Sequence, residues 1–333
     1  MRIKIIAEAG VNHNCNIQNA FALVDAAVDA GADVVKFQAT IPEEVVTKSG
    51  EMAKYQIVNM GNELTQLEMT KKIHLNLSAF KEIYDYSRKK GIDFCSTSFG
   101  ETATKYLSEF DMPFWKIPSG EITNTPYLRQ IAIQKKPIVL STGMANISEI
   151  EFALNILQDS GINRESITLL HCTSEYPANK KEINLKAIQT LENTFKVNVG
   201  YSDHTLGIEM PIAAVALGAT LIEKHITLNK KMDGPDHIAS LEPSEFKQMV
   251  DNIRNLENAF GNGIKKPTDS EKLIKKSVRR SIVAKNYIKK GEQFTHKNIT
   301  TKRPEEGISP IFWDKIINSR SKRNYFPDDL IQW

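Results

Sequence analysis

The chain has 333 residues, 25% of them charged, and a formal net charge of +3. That length allows one large domain plus a small one, and that balance gives no reason to expect nucleic acid or a membrane surface as partner. No apolar run approaches the roughly 20 residues that span a bilayer, the start Met1–Ile6 has no signal-peptide core, and Cys15, Cys95 and Cys172 lack metal-type spacing, so a reduced cytoplasmic setting is expected.

A strand-plus-helix pattern then recurs roughly every 30 residues. Ile3–Ala7 ends at Glu8, and Ala20, Leu23, Val24, Ala27 and Val28 predict a helix over 18–30 that stops at Gly31. Asp33–Phe37 carries Lys36 and leads to Gln38. The connection 39–75 is much longer than an ordinary barrel loop, which points to a lid or binding loop. Strand-like runs at 92–95, 114–117, 138–140 and 167–170 follow, each leading to hydroxyl-rich or charged residues and then a helical segment. Ser148 and Glu151 stand at capping-box spacing at the start of one such helix. The seventh run closes in Gly200-Tyr201-Ser202-Asp203-His204-Thr205 and the eighth in Leu221-Ile222-Glu223-Lys224-His225, with an Ala-rich helix between them. Residues 264–277 are polar and contain Pro267, which reads as a linker; 281–284, 290–292 and 298–302 read as short strands of a small second domain.

Eight strands alternating with helices predict an α/β fold, a (β/α)8 TIM barrel over 1–263, with the linker 264–277 and a small domain over 278–333. An open doubly wound sheet would carry a glycine-rich phosphate loop after its first strand, and none is present. In a barrel all strand C-termini face one mouth, so Glu8, Lys36, Gln38, Thr97, Lys116, Ser119, Glu121, Ser141, Ser202, His204 and His225 should converge there. Strands seven and eight neighbour each other about 4.8 Å apart, so His204 and His225, beside Ser202, Asp203 and Glu223, are positioned to share one metal ion. Lysines and hydroxyls make an anion site, a two-histidine metal can act as Lewis acid on a carbonyl, and Glu121 is available for proton transfer. These parts fit a carbon–carbon bond-forming step, but a synthase, an aldolase and an epimerase equally.

The strings EAGVNHN, VVKFQA, QLEM, KIPSGE, LSTGM, HCTSEYP, GYSDHT, IEKHIT and MDGPDH, in this order, resemble the bacterial sialic acid synthases, and the segment with TKRPEEGIS resembles that family's antifreeze-protein-like domain of β-clip type. The resemblance covers essentially the whole chain. It implies condensation of phosphoenolpyruvate with the open-chain aldehyde of an N-acetylmannosamine-type sugar, giving N-acetylneuraminate and phosphate by C–O cleavage. It further implies a divalent metal, manganese or magnesium, on His204 and His225, with no organic cofactor. Phosphoenolpyruvate would be held by Lys36, Thr97, Lys116, Ser119, Ser141, Ser174 and Ser202. Glu8, Gln38, Tyr176 and Asp236 would contact or orient the sugar, Glu121 would handle a proton, and Arg303 would reach the sugar's N-acetyl group across a homodimer.

Departures from the family pattern are Cys15 for Gly, Ser98 for Pro, Ser174 for Asn or Thr, Glu305-Glu306 for Gly-Asn, and a final stretch 316–324 without the usual Leu-Gly-Lys turn. The resemblance ranks N-acetylneuraminate first, with N,N'-diacetyllegionaminate from a 2,4-diacetamido-2,4,6-trideoxymannose as the close alternative. Pseudaminate is further off. From a different class, the small domain alone would also fit a non-catalytic sugar-binding protein, against which the two lysines and two histidines argue.

Overall fold

The computed structural model describes residues 2–61 and 64–333. It divides into two units, Met1–Phe260 and Gly261–Trp333. The first unit begins with β1 (Lys4–Gly10), α1 (Ile17–Asp29) and β2 (Val34–Thr40). Helix α1 starts where Asn16 accepts from the backbone N–H groups of Gln18 and Asn19, and the chain reverses beyond it at Gly31, whose φ of 79° suits a residue without Cβ. The long connection is not an open loop. It holds α2 (Pro42–Val45), α3 (Lys54–Met60) and α4 (Gln66–Ile73), and Met52, Met69 and Ile73 pack with Val11 into a small apolar cluster of their own.

From there the alternation is regular: α5 (Ala79–Lys90), β3 (Asp93–Phe99), α6 (Glu101–Leu107), β4 (Trp115–Ile117), α7 (Thr125–Ala132) and β5 (Ile138–Ser141). Then come α8 (Ile147–Asp159), β6 (Ile167–Cys172), α9 (Ala187–Phe195), β7 (Asn198–Asp203), α10 (Glu209–Ala216), β8 (Leu221–His225) and α11 (Pro243–Ala259). The eight strands pair in parallel in the order β3-β2-β1-β8-β7-β6-β5-β4, and β3 and β4 lie side by side to close the barrel. Strands walled on both faces must be apolar or internally paired throughout, and β1 and β8 are buried almost end to end.

Three local expectations differ from the structure. The cap of α8 is Asn146, not Ser148: Asn146 accepts from Glu149 N (3.0 Å), while Glu149 Oε2 accepts from Asn146 N (2.8 Å), so the same box closes two residues earlier. The stretch read as linker carries α12 (Asp269–Val278), a helix with no buried residue, held at its start by a Thr268–Glu271 capping box. Its apolar side chains Leu273, Ile274 and Val278 fall on one side of the helix but are exposed, so three apolar residues among charges beside Pro267 read as a linker. In the second unit β9 (Ser281–Ala284) and β10 (Ile299–Lys302) pair antiparallel. Residues 290–292 are a turn at Gly291 (φ 86°), and α13 (Trp313–Ile316) is a single turn. Ile282, Ile288, Phe294, Ile299 and Tyr325 form its core.

Candidate active site

Period-two alternation along the strands decides which side chains enter the barrel. On β8 it sends Glu223 and His225 inward; on β7 it sends Ser202 inward, opposite Glu223 in the parallel register. Register also pairs Glu8 with Lys36 and with His225. At the end of β1 the ladder slips between Glu8 and Gly10, where φ is 52°. A Cβ at Gly10 would stand 3.2 Å from Glu8 Oε1, 3.3 Å from Gln38 Nε2 and 3.6 Å from His225 Cε1, so glycine is what lets those three crowd together.

The mouth holds a cavity of about 510 Å³. Of the expected site residues, Glu8, Lys36, Gln38, Thr97, Lys116, Ser119, Ser141, Ser174, Tyr176, Ser202, His204, His225 and Asp236 line it. Glu121 does not: it ends a short turn, and its Oε2 accepts from Asn124 Nδ2 at 2.6 Å. Arg303 is exposed after β10 in the second unit. Asp203, read from sequence beside the histidines, faces away from the cavity and pairs with Lys224.

Two lysines and two glutamates make the cavity floor. Lys36 Nζ lies 2.6 Å from Glu8 Oε2 and 3.6 Å from Glu223 Oε2 and donates to Thr97 Oγ1 (3.3 Å). Lys116 Nζ donates to Ser141 Oγ (2.6 Å) and to the Ile117 carbonyl (3.2 Å), 3.9 Å from Glu223 Oε1. Glu223 Oε1 accepts from Ser202 Oγ (2.8 Å), while its Oε2 has no hydrogen-bond partner. Burial works against the Lys36 ammonium, but Glu223 and Glu8 more than offset it and raise its pKa. Burial dominates at Lys116 and lowers it, with Glu223 opposing. Burial likewise raises Glu8 against the pull of Lys36, whereas the two lysines hold Glu223 below its ordinary value in spite of burial. Nearby, Gly143 N donates to Ser119 Oγ (2.9 Å), and any Cβ on Gly143 would collide with Ser174 Oγ. The result is a tight nook of hydroxyl and backbone donors next to Lys116's strand, suited to oxyanions.

His204 and His225 stand with ring centroids 5.6 Å apart, and Tyr176 packs on both, at 4.0 and 5.5 Å. Tyr55 of α3 packs on Tyr176 in a tilted arrangement, ring centroids 5.1 Å apart. The His204 Nδ1–H donates to the Thr173 carbonyl (2.6 Å), which fixes the tautomer and makes Nε2 the lone-pair nitrogen; its neighbour Ser202 Oγ stands 3.4 Å away and gives its proton to Glu223. Burial lowers His204 to about 4 and drives His225 well below its ordinary value, so both rings are neutral, as metal ligation needs. His225 Nδ1 is buried without a hydrogen-bond partner, 3.9 Å from Asp236 Oδ2. A metal–imidazole bond of about 2.1 Å puts each ring centre roughly 3.3 Å from a shared ion. Centroids 5.6 Å apart then fit one ion at an open, near-tetrahedral angle. Among the described residues no group of three His, Cys, Asp or Glu could hold an ion by itself, so this pair would leave positions for other ligands.

Glu223 was noted from sequence but given no role, although its two-residue spacing from His225 places both on the inward face. Tyr55, Met69 and His74 were missed because they lie in the helical insertion, where strand alternation gives no guidance.

The buried histidines have a consequence for stability. Burial lowers His13 to about 3 and His74, His204 and His237 to about 4. The unfolded chain takes up protons below about 6.5 that the folded one refuses. Their contribution is therefore complete above pH 6.5 and is lost as pH falls toward 4. Asp236, raised to about 7 mainly by burial, acts oppositely over the window from about 4 to 7. Glu8, also raised by burial, acts in the same sense as Asp236; four such histidines outweigh these two carboxyls, so the urea midpoint should rise between pH 4.5 and 6.5 (about the span of these values), and a midpoint falling across that range would contradict the burial of these rings.

Residues 23–265 match the NeuB family, and residues 279–333 match the SAF domain. The chain is 50% identical over 328 residues to an N,N'-diacetyllegionaminic acid synthase of Campylobacter jejuni, with 98% of each chain covered. It is 44% identical over 331 residues to the protein of that description from Legionella pneumophila, covering 99% of this chain and 93% of the other. Among solved structures, an N-acetylneuraminic acid (sialic acid) synthetase from Leptospira borgpetersenii, in complex with citrate, superimposes with a TM-score of 0.73 at 34% identity, covering 82% of this chain and 90% of that one. No helix among the described residues is long and apolar enough to cross a membrane.

Proposed function

The chain belongs to the NeuB family, carries a SAF domain at its C-terminal end, and from that premise we propose that it is a phosphoenolpyruvate-dependent synthase of N,N'-diacetyllegionaminate. The observation that carries the product is the 50% identity spanning 98% of both chains. It reverses the order reached from motifs alone, where N-acetylneuraminate stood first. The sugar is then the open-chain aldehyde of 2,4-diacetamido-2,4,6-trideoxymannose.

Phosphoenolpyruvate binds in the cavity floor, its carboxylate and phosphate meeting Lys36, Lys116 and the hydroxyls of Thr97, Ser119, Ser141, Ser174 and Ser202. Lys36 and Lys116 carry two positive charges and Glu8 and Glu223 two negative ones, so the floor by itself is nearly neutral toward a multiply charged anion. That balance favours a divalent cation in the same cavity, manganese or magnesium, held by His204 and His225. Such an ion supplies Lewis-acid polarisation of the sugar's aldehyde oxygen. Gln38, Glu8, Tyr176 and Asp236 orient the sugar over the lysines. Carbon 3 of the enol phosphate attacks the aldehyde carbon, whose oxygen becomes a hydroxyl by taking a proton from the water that adds at carbon 2. The carbon 2 hydroxyl then loses its proton as the C–O bond to phosphate breaks, leaving the 2-keto group and inorganic phosphate. The proton needs an acceptor in the cavity, and the side chain of Glu121, turned to Asn124, supports that role less well than sequence implied.

The test is phosphate release from phosphoenolpyruvate and Mn2+ with each sugar in turn. The 2,4-diacetamido sugar should give the higher kcat/KM by at least about tenfold, the range one or two pocket contacts supply. Higher kcat/KM with N-acetylmannosamine would reassign the product, and no release with either would remove the synthase reading. Arg303 of a homodimer partner reaches the sugar in this proposal. Arg303→Ala should therefore raise the sugar KM several-fold, about 1 kcal/mol for one exposed charged bond, and leave the phosphoenolpyruvate KM near its parental value. Equal rises would take that role away.

A further inference from the structure

Behind the histidines, on the side of β7 and β8 turned away from the cavity, lies a second polar cluster. Lys224 and Asp203 are both fully buried, and Lys224 Nζ donates to Asp203 Oδ2 at 2.6 Å. The same ammonium donates to the Thr205 carbonyl. Asp203 also accepts from Tyr201 Oη (2.9 Å), Thr205 N (3.1 Å) and Thr205 Oγ1 (3.1 Å). Every one of these bonds ends on residue 203 or 205, the two neighbours of His204. The His204 carbonyl, for its part, accepts from Ala178 N at 2.9 Å.

A buried ion pair is a poor way to gain stability, because desolvation consumes most of the attraction and an apolar pair of like volume does as well. What it supplies is direction. The Asp203 carboxylate turns the chain through its bond to Thr205 N, an Asx-type turn, and Lys224 ties the carbonyl two residues on to the next strand. His204 is thus presented from a turn fixed on both flanks, and its ring is then set by the Nδ1–H bond to the Thr173 carbonyl, by Ser202 Oγ beside Nε2 and by the Tyr176 ring.

We propose that Lys224 is a positioning residue for His204, acting through Asp203 and the Thr205 carbonyl. It touches neither substrate nor ion. It holds the turn so that the free imidazole nitrogen faces the cavity. The inference rests on the reading of His204 as a metal ligand only for its first readout.

The test uses the full chain, with Mn2+ as probe followed by electron paramagnetic resonance, beside thermal melting. Lys224→Met strands the Asp203 carboxylate in the interior, so Tm and Mn2+ affinity should both fall. Asp203→Leu combined with Lys224→Met removes both charges and restores Tm. Its Mn2+ Kd should nevertheless stay about ten- to a hundredfold weaker, the range seen when a ligand loses its outer partners. Recovery of Tm and Kd together would reduce the pair to a structural role and overturn the proposal. Should the double variant not melt cooperatively, Thr205→Val replaces it, since it removes one hydroxyl donor and leaves the charges paired. Weaker Mn2+ binding at parental Tm is then expected, and parental binding overturns the proposal. If the parent chain takes up no Mn2+, the metal reading fails on its own. The turn is then read from the 15N spectrum of the His204 imidazole, assigned with His204→Gln: the variants must lose the Nδ1-protonated pattern, and an unchanged spectrum overturns the proposal.

Discussion

His225→Ala should lower turnover by about a thousandfold or more, equivalent to ~4 kcal/mol of transition-state stabilisation, with the barrel intact. The ring lies at the end of β8 in the cavity wall, and its Nδ1 makes no hydrogen bond that folding depends on. Deleting it enlarges an existing cavity instead of opening a hole in the apolar core. Mn2+ binding should fall with activity, while circular dichroism and Tm stay near the parental values. Substantial phosphate release by the variant, or by the parent chain in chelator, would remove the metal from the reaction.

Lys116→Met should cost about a hundred- to a thousandfold in kcat/KM for phosphoenolpyruvate, the range for losing one preorganised charge-stabilising group. Lys116 is 2% exposed, in the middle of β4, and its ammonium is held by Ser141 and the Ile117 carbonyl facing Glu223. Methionine keeps the stem and removes only the charge. The loss leaves Glu223 with Lys36 as its remaining cation, so a moderate fall in Tm accompanies the kinetic effect. A variant with near-parental kcat/KM would move the anion away from Lys116. Calorimetric titration with phosphoenolpyruvate separates lost binding from lost chemistry.

The barrel was legible because its signal is repeated: each apolar run ends in a hydroxyl or charge, and the mouth gathers those ends whatever their spacing in the chain. That logic found Lys36, Lys116, Ser202, His204 and His225, all of which line the cavity. It names Asp203 only as a neighbour of the histidines, because sequence adjacency does not say which face a residue takes. Counting along β7 sends Asp203 to the helix side with Tyr201, whereas His204 lies past the strand end. Glu121 was misplaced for a similar reason. The chain leaves β4 through a 3-10 turn, not a continued strand, and its carboxylate meets Asn124 before it can meet the cavity. The insertion reads from sequence as a lid or binding loop, and its residues do line the cavity, but its helices are not legible. Its helices run four to eight residues, too short for periodicity to show, and they are held by caps and by Val11 rather than by the main core.

The floor's two ammonium groups keep company with two carboxylates. A cradle of bare lysines would clutch any inorganic phosphate it met, including the one each reaction cycle leaves behind. With counterions built into the wall, a lone phosphate must compete with Glu8 and Glu223 for the same donors and gains little by staying. On the proposed reaction such a pocket should let go of its leaving group readily, and weak product inhibition by phosphate is the expected result in initial-rate assays.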